Sequence, residues 1–246
     1  MNIKQRLDEI WSQDYIKSLP FQIRRGYCFA ENNESKRYLV TGFNPSFRDG
    51  QDHMGNTSFK VDFYDTMHDN YFSPVKKMLY EDEVNIDLRG EAAYTDLFYF
   101  REQNQEFLQK QIIPAPNGIR FMVEQLNLTQ HIIEEIIQPN LIVVKNKESW
   151  AYFGKLFEEK GWVWMGYQFE FIQNMNCGEL YRIKGLLDSN ERIAPEIKTT
   201  NLKGTFVLFS QHINQFTPVE KRPTAKELLS IGLWAYAEKM TRELAI

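Results

Sequence analysis

The chain has 246 residues, of which 43% are hydrophobic and 14% aromatic, and its formal net charge is -4. A chain of this length can bury a sizeable core, and we expect a single domain over residues 1–246. The negative charge argues against tight binding of duplex DNA, because proteins that contact many phosphates usually carry a basic face. A local basic patch can nevertheless exist in an acidic chain.

The sequence contains no pattern typical of a membrane, secreted or metal-binding protein. No stretch approaches the roughly 18 uncharged apolar residues that span a bilayer, and residues 1–19 lack the apolar centre of a signal peptide. We therefore expect a cytoplasmic protein, monomeric and without a membrane partner. Cys28 and Cys177 lie far apart with no neighbouring ligand cluster, which predicts neither a disulfide framework nor a metal site.

The first half of the chain predicts alternating helices and buried strands. Apolar residues recur every three or four positions near the N-terminus, and Pro20 ends that pattern. Pro74 suits the first turn of a later helix. The predicted elements are a helix over 3–18, a strand over 38–43, a polar loop up to residue 56, a helix over 72–80 and a strand over 93–100.

The second half continues this alternation. The predicted elements are a helix over 118–138, a strand over 141–144, a helix over 148–159, a hairpin within 162–184, a strand over 206–209 and a helix over 224–244. Thr224 and Glu227 have the spacing of a capping box at the start of the last helix. The β-α-β-α order predicts the α/β class, a three-layer α/β/α sandwich with a mainly parallel central sheet.

Polar residues follow several of these strands directly. The stretches are YLVTGFNPS at 38–46, AAYTDLFYFR at 92–101, PNLIVVKNKESWAYFG at 139–154 and GTFVLFSQH at 204–212. Buried parallel strands present such residues to a cleft at the carboxyl edge of the sheet. The sequence therefore predicts a ligand site at that edge.

In this order the motifs resemble the uracil-DNA glycosylase superfamily, over roughly residues 38–215. The GFNPS segment is most similar to the G-x-N-P segment of the mismatch-specific and single-strand-selective branches. The resemblance implies a uracil-DNA glycosylase-like domain that hydrolyses the bond between an extruded base and deoxyribose in single- or double-stranded DNA, with no cofactor or metal.

The resemblance also implies roles for individual residues. Asn44 matches the asparagine that holds water, and His212 matches the histidine that stabilises the departing base anion. Phe72 matches the phenylalanine that stacks on the base. Ser46 stands where the most uracil-strict branch has a tyrosine, which implies weaker exclusion of a 5-methyl group. The base- or substrate-binding positions are Gly42, Phe43, Pro45, Ser46, Phe72, Asp96, Arg101 and Ser210.

Some of these residues also have a purely structural interpretation. The Asn44–Pro45 pair is compatible with an ordinary turn, and Phe72 with a core position. Arg101 follows the second strand like a basic residue of the family, yet a surface salt bridge accounts for it at least as well. Six basic residues near the first motif form either a phosphate-binding patch or a solvated face: Arg24, Arg25, Lys36, Arg37, Arg48 and Lys60.

Two departures from the family pattern bear on function. Asp96 replaces an asparagine that reads the base edge; an ionised aspartate only accepts hydrogen bonds and suits a base with an amino group. A protonated Asp96 would suit uracil, but only if burial raised its pKa. The Pro-Ser pair expected after His212, which presses on the DNA backbone, is absent.

The leading hypothesis is a base-excision glycosylase for a base that need not be uracil. The alternative is a catalytically inactive protein of the same fold that binds a free nucleobase, a nucleotide or modified DNA. An unrelated α/β hydrolase or nucleotide-binding enzyme ranks last, because G-x-S-x-G, Walker and G-x-G-x-x-G motifs are absent.

Overall fold

The fold is described from a computed structural model, which covers residues 2–31, 34–104, 106–155, 162–211 and 213–243, apart from the side chains at 239, 242 and 243. It is a mixed α/β structure built on a six-stranded, mostly parallel sheet. The strands are β1 Cys28–Ala30, β2 Tyr38–Gly42, β3 Thr57–Phe59, β4 Tyr80–Glu81, β5 Ile86–Asp87, β6 Ala92–Asp96, β7 Leu141–Val144, β8 Tyr167–Met175, β9 Gly178–Leu186 and β10 Phe206–Ser210.

The central sheet has the strand order β6-β2-β7-β10-β9-β8. The first four strands are parallel to one another, and β9 and β8 continue the sheet as an antiparallel hairpin. Every residue of β2, β6, β7 and β10 is buried, as expected for parallel strands covered on both faces. Their carboxyl ends therefore meet at one edge of the sheet.

Helices supply the apolar cover. They are α1 Ile3–Trp11, α2 Ser73–Met78, α3 Gly118–His131, α4 Ser149–Phe153 and α5 Ala225–Glu243, and α3 continues as a π-helix over Ile132–Ile137. The side chains of α1, α3 and α4 join one core cluster, which includes Leu39, Val144 and Phe209 of the sheet. Those of α2 and α5 join a second cluster, with Val40 and Tyr94.

The predicted alternation of helices and strands is largely confirmed. The strand over 141–144 has the predicted bounds, and β8 and β9 form the predicted hairpin. The capping box is present: Glu227 N–H donates to Thr224 Oγ1 at 3.1 Å, and Thr224 N–H donates to Glu227 Oε2 at 2.8 Å.

Two predicted elements are shorter in the structure. The first helix ends at Trp11, and 3-10 turns over Asp14–Ser18 and Phe21–Arg25 follow it, which bring Ile16 and Ile23 back onto the same core. The second strand ends at Asp96, because the chain then bends toward β1, where Cys28 N–H donates to the Tyr99 carbonyl at 2.9 Å. Apolar periodicity continues through both bends and therefore does not reveal them.

Other predictions need smaller adjustments. The helix predicted over 148–159 is shorter: α4 ends at Phe153, where Gly154 follows in the left-handed conformation, and residues 156–161 lie outside the described residues. The pairs β1–β3 and β4–β5 were not predicted, because strands of two or three residues carry little periodicity.

Within the described part of the chain, no helix is both long and apolar enough to cross a membrane. The same residues contain no group of three or more His, Cys, Asp or Glu side chains arranged to hold a metal ion. Both cysteines are free thiols, and burial raises the pKa of Cys177 to about 11.

Candidate functional site

A row of residues crosses the carboxyl edge of the parallel strands. Gly42 and Asp96 are paired across β2 and β6. Val144 is paired with both Thr41 and Phe209, so the next residue, Lys145, lies level with Gly42 on one side and Ser210 on the other. Because side chains alternate along strands, all four residues of the row face the same side of the sheet, that of the α2–α5 core.

Asp96 is the acidic member of this row and is only 3% exposed. Its Oδ1 accepts a hydrogen bond from the Tyr94 hydroxyl at 2.7 Å, and the Tyr94 and Tyr71 hydroxyls lie 2.6 Å apart. Among the described residues no donor reaches the other oxygen, Oδ2. The carboxyl group thus retains acceptor capacity, and donor capacity as well when it is protonated.

Gly42 provides the space for this hydrogen-bonded chain. A Cβ atom at this position would lie 2.0 Å from both Asp96 Oδ1 and the Tyr94 hydroxyl, and 2.6 Å from the Tyr71 hydroxyl. Only glycine therefore allows the three groups to meet above β2.

Lys145 is the basic member of the row and is 1% exposed. Within the described part of the chain its Nζ has no hydrogen-bond partner. Instead it lies 3.3 Å from the centroid of the Tyr71 ring and 5.8 Å from that of Tyr94. Cation–π attraction replaces part of the lost hydration but supplies no acceptor for the three ammonium hydrogens.

Burial shifts both charged groups toward their neutral forms. It raises the pKa of Asp96 to about 7, although the Tyr94 hydrogen bond and the charge of Lys145 act in the opposite direction. It lowers the pKa of Lys145 to about 7, opposed by the charges of Asp96 and Asp69. Because each charge favours the other, the neutral pair and the ionic pair are both accessible near neutral pH.

Tyr71 covers the row from the solvent side. Its residue is 39% exposed, yet the hydroxyl points inward to Tyr94, and burial raises its pKa well above the usual value. Asp69 Oδ1 holds the backbone of this turn by accepting from Tyr71 N–H and Phe72 N–H, both at 2.7 Å. Phe72 packs edge-to-face on Tyr94, with ring centroids 5.1 Å apart.

Asn44 lies half-buried just beyond β2, with its amide group in a fixed orientation. Nδ2 donates to the backbone carbonyls of Pro45 at 2.9 Å, Phe100 at 3.3 Å and Glu102 at 2.7 Å. Carbonyl oxygens only accept, so the amide nitrogen must face them. The side-chain oxygen, which has no donor among the described residues, is the end left to accept from water.

Arg101 is buried, at 7% exposure, and forms no ion pair with any described carboxylate, so the interpretation as a surface salt bridge is wrong. Its Nη1 donates to the carbonyls of His53 at 2.8 Å and Gly55 at 3.3 Å, and its guanidinium lies 4.8 Å from the centroid of the Phe47 ring. These contacts hold the long polar loop after β2 against the body of the protein.

Three other predicted positions lie apart from the Asp96–Lys145 row or contribute little to it, and a fourth is not among the described residues. Phe43 faces the opposite core, where it packs on Phe98 at 5.4 Å between centroids. Ser46 is exposed. Ser210 belongs to the row, but its hydroxyl donates to the carbonyls of Val144 and Gln211 at 3.3 and 2.9 Å. His212 lies outside the described residues.

The basic residues near the first motif are mostly paired with carboxylates, which supports a solvated face over a phosphate-binding patch. The ion pairs are Arg25–Glu102 at 2.7 Å, Lys36–Glu34 at 2.9 Å, Arg37–Glu91 at 3.0 Å, Arg48–Asp52 at 3.1 Å and Lys60–Glu31 at 3.9 Å.

Sequence reasoning found Gly42, Phe72 and Asp96 of this site but missed Tyr71, Tyr94 and Lys145. Two features of the sequence could have identified Tyr94 and Lys145. Tyr94 lies two positions before Asp96 on a strand, so the two side chains share a face. Lys145 directly follows the apolar run LIVV, at the edge where the other polar residues were noted.

Comparisons with known proteins identify no relative. No family model matches the chain, and neither does any curated protein or solved structure.

Proposed function

We propose that the chain is a uracil-DNA glycosylase-like hydrolase, a three-layer α/β/α sandwich that cleaves the N-glycosidic bond of an extruded base in DNA. The observation that carries this proposal is the burial of Asp96, which raises its pKa to about 7. Burial thus favours the protonated carboxyl group.

Protonation resolves the mismatch between an aspartate and uracil. The uracil edge presents a donor at N3 and an acceptor at O4, and a protonated carboxyl group can accept from the first and donate to the second. Ionised Asp96 would face O4 with a second acceptor. The two forms therefore select different bases, and the protonated form suits uracil.

Asn44 supports the hydrolytic step. Its amide nitrogen is committed to three backbone carbonyls, so its oxygen has a fixed direction in which to orient a water molecule toward the sugar. It positions water without acting as a strong base. His212 is assigned to the departing base by the family resemblance alone.

A second candidate function is binding of a nucleobase or nucleotide without cleavage. It is favoured by the way Tyr71 covers Asp96 and Lys145 and by the pairing of most basic residues near the first motif with carboxylates. Both features oppose insertion of a base from duplex DNA more than they oppose binding of a small ligand.

Base release separates the two functions. Oligonucleotides carrying uracil, hypoxanthine, xanthine, cytosine or mismatched thymine, single- and double-stranded, are incubated with the protein and scored for alkali-sensitive sites. We expect release of uracil and its loss in Asn44→Ala, whereas Asn174→Ala, an exposed asparagine of β8, retains it. Ligand binding without abasic product on any substrate would favour the binding protein.

The pH profile tests the role of Asp96 directly. If the protonated form reads uracil, release by the wild type declines as pH rises through about 7. Asp96→Asn keeps one donor and one acceptor without titrating, so it should retain uracil release and lose this decline. A decline of equal size in the variant would assign it to another group and remove the support from Asp96.

A further inference from the structure

The structure contains a buried amine that the hydrolytic mechanism does not use. Lys145 Nζ is enclosed at the carboxyl edge of the sheet, and no residue that the structure describes offers it a hydrogen bond. A buried ammonium group without acceptors is costly, so the amine is readily neutral there, in keeping with the lowered pKa of Lys145. A neutral lysine amine in an apolar site is a nucleophile.

Two other partly buried lysines show the contrast. Lys155, whose side chain is 10% exposed, pairs with Glu179 at 2.9 Å. Lys76, at 13%, donates to the Asp65 carbonyl at 2.8 Å and lies 3.5 Å from its carboxylate. Both keep an acceptor for the ammonium group, whereas among the described residues Lys145 Nζ has no acceptor and lies against the faces of Tyr71 and Tyr94.

We propose that Lys145 forms an imine with the C1′ aldehyde of an abasic deoxyribose and thereby cleaves the DNA strand on the 3′ side. This inference deepens the proposed function, on which it rests, by adding a lyase step after base release. The aldehyde is the ring-opened form of the product that base release leaves in DNA.

The row supplies the groups for each proton transfer. Neutral Lys145 Nζ adds to C1′, and the carbinolamine loses its hydroxyl as water, with a proton from the Asp96 carboxyl, to give a protonated imine. The Asp96 carboxylate then removes a proton from C2′. The C2′–H electron pair forms the C2′=C3′ bond, and the 3′ phosphate leaves with the electrons of the C3′–O bond. Water hydrolyses the imine and restores the amine.

Tyr71 determines access to the amine. Its ring lies over Nζ at 3.3 Å, in the place where the aldehyde must approach, so the side chain has to swing outward. The residue is 39% exposed, and the outward movement breaks the contact between the Tyr71 and Tyr94 hydroxyls at 2.6 Å and the edge-to-face contact with the Phe72 ring at 5.0 Å between centroids. Removal of the ring in Tyr71→Ala should therefore speed imine formation.

Borohydride trapping tests the proposal independently of base release. The full chain is incubated with an oligonucleotide that already carries an abasic site, sodium borohydride is added, and the covalent protein–DNA adduct is resolved on a denaturing gel and mapped by peptide mass. We expect an adduct at Lys145, a several-fold faster yield in Tyr71→Ala, and loss of the adduct in Lys145→Met. Lys147→Met, an exposed lysine on the same loop, serves as the matched control and should retain it.

Either of two results would overturn the inference: an adduct of undiminished yield in Lys145→Met, or no adduct in both the wild type and Tyr71→Ala. Base release measured in parallel keeps the two proposals distinguishable. Release of base without an adduct contradicts the lyase step alone. An adduct on preformed abasic DNA without release of base contradicts the glycosylase and leaves Lys145 as an imine-forming residue. Thermal unfolding of each variant checks that it is folded.

Discussion

Two buried carboxylates on opposite sides of the sheet differ in how fully they are hydrogen-bonded. Glu134, in the π-helical continuation of α3, is 0% exposed and accepts from Tyr167 at 2.9 Å, from Thr200 Oγ1 at 2.7 Å and from Asn201 N–H at 2.7 Å. Asp96 is 3% exposed, and Tyr94 is the single donor to its carboxyl group among the described residues.

Burial raises the pKa of both groups, but the three donors to Glu134 oppose that rise more completely. Glu134 thus anchors the segment that leads into β10 and has little acceptor capacity left for a ligand. Asp96 and its neighbour Lys145 have unused hydrogen-bonding capacity. Burial of a charged group alone therefore does not indicate a functional site, whereas burial together with unsatisfied polar atoms does.

The largest effect on stability is expected from Glu134→Ala. The substitution leaves the hydroxyls of Tyr167 and Thr200 and the amide of Asn201 without their acceptor, which costs about 3 kcal/mol of unfolding free energy. Urea denaturation at pH 7 measures the loss. Glu135→Ala, on the exposed side of the same helix, should change stability by less than about 0.5 kcal/mol. Equal losses would mean that Glu134 is not the anchor.

Gly42→Ala is expected to have the next largest effect. The added methyl group meets Asp96 Oδ1 and the Tyr94 hydroxyl at 2.0 Å, so the row must shift, at a cost of about 2 kcal/mol. Gly185→Ala in β9 is the control, because its methyl group would meet only the end of the flexible Gln168 side chain at 3.0 Å. If Gly42→Ala were as stable as Gly185→Ala, the Asp96 and Tyr94 side chains would be able to move aside at little cost in free energy.

Unlike the two preceding substitutions, Lys145→Met is expected to raise the free energy of unfolding, by about 1 to 2 kcal/mol at pH 6. The folded-state pKa of Lys145 is lowered to about 7, below its usual value. The cost of burying the charge is therefore fully present below pH 7 and declines as the pH rises toward about 10.4. The gain should accordingly shrink at alkaline pH.

Chemical denaturation between pH 6 and pH 10 measures this trend, with Lys147→Met as the control that should show no gain. Loss of the Lys145 charge also removes an influence that lowers the pKa of Asp96, so that pKa should rise in the variant. A loss of stability in Lys145→Met at pH 6 would mean that the Lys145 amine has a hydrogen-bond partner in solution. Lys145 would then resemble Glu134, whose hydrogen-bonding capacity is filled.

The smallest effect is expected from Tyr71→Phe. The variant loses one hydroxyl contact, to Tyr94 at 2.6 Å, and keeps the ring over Lys145, so we expect a loss of about 0.5 to 1 kcal/mol. Tyr80→Phe, which removes a hydroxyl bound to exposed Asp82, should cost less. Equal losses of stability in the two variants would indicate that the Tyr71 hydroxyl is solvated and that the Tyr71 side chain does not cover Lys145 in solution.

Part of the candidate site follows from sequence reasoning. The strand pattern predicts that polar residues near the carboxyl ends of the buried strands meet at one edge, and period-two alternation places Tyr94 beside Asp96. The role of Arg101 could not be predicted, because the carbonyls that it binds belong to the loop at 53–55, nearly fifty residues earlier.

The sequence by itself determined the α/β class and the succession of strands, because these depend on local periodicity. Only the tertiary structure decided that β2 lies between β6 and β7, so that a glycine opens the space between an aspartate and a lysine 49 positions apart in the chain. It also decided which buried charges found partners. In the part of the chain that the structure describes, Glu134 accepts from three donors and Lys145 Nζ has no hydrogen-bond acceptor. Hydrogen bonds between distant residues depend on how the elements pack, which local periodicity does not encode.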